Sequence, residues 1–147
     1  MLLFKKKFIE AIRCGKKTQT IRLWNRCRMK AGQRSYIPGI GYILILSVDQ
    51  VDLDRLTDDD ALPDGFARAS LLREELRSIY ADELARGFQA FRIRFSVYPP
   101  PEQSRMKKET KRLKEERART DRDRKDRAQQ EHVDKTLAKL KRLADGH

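Results

Sequence analysis

The chain has 147 residues, 38% of them charged, and a formal net charge of +12. That length suits one compact domain, and so charged a composition leaves part of the chain outside any core. Two cysteines without a CxxC pair, and histidines confined to positions 132 and 147, argue against a structural zinc site or any other metal centre, and no cofactor motif is present.

Charge is unevenly spread. Residues 1–34 carry 11 lysines and arginines against the single acid Glu10, residues 35–98 carry 7 against 11 acids, and residues 99–147 carry 16 against 10. A basic front and a basic tail point to a polyanionic partner, with nucleic acid ahead of an acidic membrane surface. No apolar run approaches the ~18 residues needed to span a bilayer, and no secretory leader is visible, so a cytoplasmic protein with free thiols at Cys14 and Cys27 is expected. Cys14 reads as a small packing residue beside a turn, and a monomer is expected.

Phe4, Phe8, Ile9 and Ile12 have the spacing of a short amphipathic helix, and Gly15 supplies its cap. Thr20 to Trp24 alternates as a half-buried strand, with Ile21 and Leu23 toward a core and Thr20 and Arg22 on the other face. Gly32 to Pro38 reads as a turn and a short strand, and Tyr42 to Val48 as a central strand. The acidic stretch Leu56 to Phe66 reads as a loop with room for one helical turn. Leu71, Leu72, Leu76, Ile79 and Tyr80 mark a second helix, and Phe91, Ile93, Phe95 and Val97 the clearest strand. One mixed α+β domain over residues 1–98 results. The prolines at 99–101 then define a stiff linker, 99–103, before a charged extension, 104–147, that is either a solvated helix or a disordered basic tail able to contact nucleic acid. Val133, Leu137, Leu140 and Ala144 form too short a stripe for a coiled coil.

The segment Gly15-Lys-Lys-Thr-Gln-Thr-Ile-Arg22 concentrates chemistry: it is either a cationic strand that grips phosphates or a small active site. With Phe8 to Cys14 before it, it resembles the opening of ASCH domains, a PUA-like family whose signature is a helix followed by Gly-x-Lys-x-x-Glu-x-Arg. Gly15, Lys17 and Arg22 match, and Thr20 stands at the glutamate position. Gly32, Tyr36, Leu56-Thr57, Asp60-Ala61, Asp64-Gly65-Phe66 and Arg92 to Phe95 extend the resemblance over residues 4 to 98. It implies a small β-barrel with flanking helices, a cleft beside the Gly-Lys motif, and RNA binding. One bacterial branch of the family removes the acetyl group from N4-acetylcytidine and carries Lys-Thr-x-Thr-Ile-Arg. Lys17, Thr18, Thr20, Ile21 and Arg22 repeat that arrangement, and Asp64 takes the place of the branch's catalytic glutamate, one methylene shorter.

Two functions are therefore carried forward. The first is an RNA- or nucleotide-binding protein with a cationic cleft around Lys17 and Arg22, its ligand contacts drawn from Lys16, Arg22, Trp24 and Tyr36. The second is an amidohydrolase for acylated nucleosides through Lys17, Thr20 and Asp64. A threonine hydroxyl attacks an amide only if a base takes its proton. Lysine is that base only as the free amine, which requires its pKa of about 10.4 to fall by roughly 3 units. Lys16 and Arg22 push that way, and Asp64 opposes them. Each residue also has a plain role: Thr20 a β-branched strand residue, Lys17 a helix C-terminal charge, Asp64-Gly65 a turn, Trp24 and Tyr36 packing. On either function, Lys17, Thr20, Arg22 and Asp64 are expected to converge in one cleft.

Overall fold

The computed structural model describes residues 2–146. The apolar positions near the start form helix α1, Lys6–Arg13, which ends on a basic residue suited to the negative end of a helix dipole. Gly15 follows at φ 78°, a left-handed conformation that a Cβ would oppose. Cys14, expected to pack, is exposed: it sits at the frayed helix end, where its thiol reaches only the Ala11 carbonyl at 3.5 Å.

Four strands follow the alternation of the sequence: β1 Gln19–Trp24, β2 Arg34–Ile37, β3 Gly41–Val51 and β4 Gln89–Val97. They pair antiparallel in the order β1-β4-β3-β2 and curl into a half-barrel. The register sets the two faces. Thr20 lies opposite Ile93 and Arg22 opposite Phe91, while Ile21 lies opposite Arg92 and Leu23 opposite Ala90. Since side chains alternate along a strand, Thr20, Arg22, Phe91 and Ile93 share one face, and Ile21, Leu23 and Ala90 share the other. Each face has its own core. Ile43, Ile45, Ile93 and Phe95 pack with Ile12 and Ile37 on the first, with Phe4, Phe8 and Trp24 around them. Ile21, Leu23 and Ala90 pack with Leu53, Leu56, Ala61, Leu72 and Leu76 on the second.

The acidic stretch departs from the loop expectation. It forms helix α2, Asp58–Asp64, after a 3-10 turn at Leu53–Arg55. Asp58, Asp59 and Asp60 crowd the first turn, where carboxylates complement the unpaired N–H groups. The Asp60 carboxylate also reaches back to accept the Thr57 backbone N–H at 2.9 Å. Gly65, at φ 93°, ends the helix. Helix α3, Ala69–Ile79, buries Ala69, Leu72 and Leu76, whereas Leu71 and Ile79 are largely exposed. A short helix α4, Ala81–Ala85, leads into β4.

Helix α5, Pro100–Ala144, begins within the proline run. Proline is tolerated there because first-turn N–H groups lack an intrahelical partner. Gln103 fixes that first turn: its Oε1 accepts the Tyr42 N–H at 2.7 Å, and its Nε2 donates to the carbonyls of Tyr42 and Tyr98 at 2.7 and 3.0 Å. The described residues divide into two compact units between Gln103 and Ser104. The second is helical to Ala144, with Val133, Leu137 and Leu140 exposed along it. No helix among the described residues is long and apolar enough to cross a membrane.

Candidate functional site

Lys17 follows the α1 turn, and two backbone hydrogen bonds fix its segment: Lys17 N–H to the Ala11 carbonyl and Thr18 N–H to the Pro63 carbonyl, both 2.9 Å. The second ties the start of β1 to the last turn of α2. Lys17 Nζ consequently lands on the C-terminus of α2, donating to the Asp64 carbonyl and to Asp64 Oδ1, the latter at 2.5 Å. It thus complements a helix C-terminus, but that of α2 rather than the neighbouring α1.

Lys17 is 2% exposed and Asp64 3%. Burial pushes the Lys17 ammonium below its ordinary value, an effect that Asp64 opposes and Arg22 reinforces. Burial likewise pushes the Asp64 carboxyl above its ordinary value against the pull of Lys17. Asp64 Oδ2 has no hydrogen-bond partner, and neither has the fully buried Gln19 Oε1, although Gln19 Nε2 donates to the Asp60 carbonyl at 2.9 Å. Gln19 lies within reach of Asp64 and, with Lys17 and Arg22, pulls its carboxyl back toward the ordinary value.

Lys17 and Asp64 line a cavity of about 130 Å³ beside β1, an edge strand of the sheet. Lys17, Thr20, Arg22 and Asp64 all line it, so the structure brings these four together. Thr20 is buried, and its hydroxyl accepts from Arg22 Nε at 3.3 Å. The Arg22 guanidinium also donates 2.5 Å to the Leu3 carbonyl and lies 4.9 Å from the Phe4 ring centre. Lys17 Nζ lies 4.7 Å from the Phe8 ring centre. Phe66, Leu72, Leu76 and Tyr80 complete the apolar wall.

Other candidate residues lie elsewhere. Lys16 is exposed and does not line the cavity. Trp24 is half-buried, tilted against Phe91 at 5.8 Å within the first core. Tyr36 sits on the far edge strand β2, 42% exposed. Sequence reasoning missed Phe4 and Phe8 as cavity walls, because their i, i+4 spacing reads the same for a core-facing or a cavity-facing stripe. It also missed Glu75, a second cavity carboxylate on α3 that takes Lys5 and Lys7 at 3.1 and 3.2 Å. Among the described residues no group of three or more metal-ligating side chains comes together.

Solved structures place this architecture. An ASCH domain from Lactobacillus crispatus JV V101 superposes with a TM-score of 0.53 over 60% of this chain and 69% of its own, at 17% identity. A protein from Enterococcus faecalis V583, described with the family model DUF984, does so at 0.52 over 62% and 69%, at 19% identity. The hypothetical protein PH0355 gives 0.56 over 65% and 95%, at 16% identity. No family model and no curated protein matches the sequence. The fold is ASCH-like.

Proposed function

We propose that the cavity binds one nucleobase or nucleoside, free or as a nucleotide of an RNA chain. The observation that carries this reading is the combination of an aromatic wall with a buried polar floor in a cavity of about 130 Å³. Such a volume holds on the order of ten waters or one small heterocycle. Phe4, Phe8, Phe66 and Tyr80 offer ring faces and edges to a flat base, the contact on which single-stranded recognition relies. The unpartnered Asp64 Oδ2 is an acceptor suited to an exocyclic amine, and Arg22 a donor suited to a carbonyl or phosphate oxygen. Calorimetric titration with cytidine, adenosine, guanosine and uridine tests this. Binding that favours an amino-bearing base and weakens about tenfold or more in Arg22→Ala supports it; heat-silent titrations with all four would remove it.

Amide hydrolysis is the second reading, favoured by the presence of Lys17, Thr20 and Asp64 on one cavity. Thr20 Oγ1 would attack the acyl carbonyl while its proton passes to the Lys17 amine. The C–N bond then breaks, the proton leaves on the departing amine, and water hydrolyses the acyl-threonine ester. Burial of Lys17 favours the amine this step needs, and its bond to Asp64 favours the ammonium. Incubation with N4-acetylcytidine decides the matter. Cytidine release that Thr20→Ala abolishes establishes the activity, and its absence retires this substrate.

A further inference from the structure

Among the described residues Lys17 is the one buried lysine, and every other lysine is exposed. An exposed lysine such as Lys16 offers a fixed charge to a phosphate without giving up its hydration. Charge recognition therefore does not account for a lysine set at 2% exposure in a cavity wall. What burial gives an amine is a larger share of its uncharged form, and with it a lone pair that can attack an electrophilic carbon. The Asp64 carboxylate opposes that shift while it is charged, yet its Oδ1, 2.5 Å from Nζ, is placed to take up the proton.

The rings around Lys17 define what can reach the amine. Nζ lies 4.7 Å from the centre of the Phe8 ring and 5.9 Å from that of Phe4, and Phe8 tilts against Phe66 at 5.9 Å. With Tyr80 these three rings line the cavity, so a ligand within reach of Nζ is flanked by aromatic faces and edges. Such surroundings favour a flat aromatic occupant. The carbonyls of an ordinary nucleobase belong to ring amides, whose carbon is a poor electrophile for an amine. A formyl group carried on an aromatic ring is a good one.

We propose that Lys17 is a covalent site, whose amine captures aromatic aldehydes entering the cavity as a reversible imine; a formylated nucleobase is one member of that class. The proposal rests on a flat ring occupying the cavity, as in the nucleoside reading, but not on that ring being a nucleobase, and Thr20 takes no part. The Lys17 lone pair forms a C–N bond to the formyl carbon, and the C=O electron pair moves to oxygen, which takes a proton. Asp64 accepts a proton from the nitrogen and returns it to the hydroxyl, which leaves as water while the C=N bond forms. Amine and aldehyde thus give imine and water, Asp64 ends in its starting state, and nothing is oxidised or reduced. The apolar walls, Leu72 and Leu76 among them, keep out the water that would reverse the step.

Reductive trapping tests the site. The full chain is incubated at neutral pH with 4-hydroxybenzaldehyde or with 5-formylcytidine and cyanoborohydride, and the adduct is weighed and mapped by mass spectrometry. A single adduct on Lys17 is expected, forming at least about tenfold faster than on any other lysine, the gain from a fall of one unit in an amine's pKa. Lys17→Arg should remove that adduct and Thr20→Ala should keep it, which separates imine capture from amide hydrolysis. The map on the parent chain needs no variant to fold. Labelling of Lys17 by both aldehydes supports the proposal together with the nucleoside reading. Labelling by 4-hydroxybenzaldehyde alone supports the covalent site and counts against the nucleobase. The proposal is overturned if neither aldehyde labels Lys17, even where calorimetry shows unmodified nucleosides binding, or if adducts spread over the exposed lysines at rates equal to that of Lys17.

Discussion

Lys17 and Asp64 form an ion pair with almost no exposure on either side, 2.5 Å apart. Removing two charges from water costs several kcal/mol per ion, and their attraction offsets this only when the remaining polar atoms are satisfied, which Asp64 Oδ2 is not. The pair therefore serves the cavity better than it serves stability. Lys17→Met leaves a lone buried carboxylate and should lower stability by about 3–5 kcal/mol in denaturant titration at neutral pH. A Lys17→Met/Asp64→Leu double variant should recover most of that loss while failing to bind nucleoside. The sign of the pH dependence follows from Asp64. Its folded pKa lies above the ordinary 3.8, so its contribution is most favourable below pH 3.8 and is lost as pH rises through the folded value. The Lys17→Met defect should accordingly shrink on acidification; a defect constant between neutrality and pH 4 would mean that Asp64 is not the charge left stranded. Lys17, Thr20 and Arg22 were legible in the sequence because they share one dense polar run beside a glycine cap, and Asp64 because its segment resembles the family pattern. The ring walls were not, since Phe4 and Phe8 satisfy a core stripe equally well, and Glu75 is one charge among several on α3.

Helix α2 holds Asp64 in place, and its own stability rests on its first turn. Asp60 accepts from the Thr57 backbone at 2.9 Å and pairs with Arg92 at 2.7 Å, linking the helix to β4. The Thr57 hydrogen bond and the Arg92 charge hold the Asp60 carboxyl below the ordinary 3.8, the backbone bond contributing most. A depressed carboxylate stabilises above its unfolded pKa and loses that contribution as pH falls through the folded one. Asp60→Asn should thus melt lower than the parent at neutral pH, by the roughly 1 kcal/mol expected of a lost cap. The two melting curves should converge only once pH falls below the depressed folded value, and a gap that persists there would assign the loss to packing. The strands were readable because period-two alternation at Ile21–Leu23 and Phe91–Val97 has few competing explanations. Helix α2 was not: three consecutive aspartates and Pro63 lower interior helix propensity, and only their placement after Thr57 turns the same acids into a favourable first turn. Helix α4 spans five residues, too short for any period to declare itself.

Both core clusters are built from residues no later than Val97. The chain beyond Gln103 is a helix rich in both signs of charge, with six more basic than acidic side chains between 99 and 147. Opposite charges one turn apart, such as Lys111 and Glu115 at 3.9 Å, support it weakly, because exposed pairs contribute a few tenths of a kcal/mol. Its net charge is the property with reach, since a helix rises about 1.5 Å per residue and spreads that charge along its length. A chain ending at Gln103 keeps the side chain that clamps Tyr42 and Tyr98 and should remain folded. It should lose most of the helical circular dichroism contributed by the 45-residue α5. Its affinity for a free nucleoside should be unchanged. Its affinity for a long RNA should fall, with the log–log salt slope flattening by about 0.7 for each phosphate contact removed. An unfolded truncated chain would contradict the placement of both cores, and an unchanged salt slope would take the extension out of RNA binding altogether.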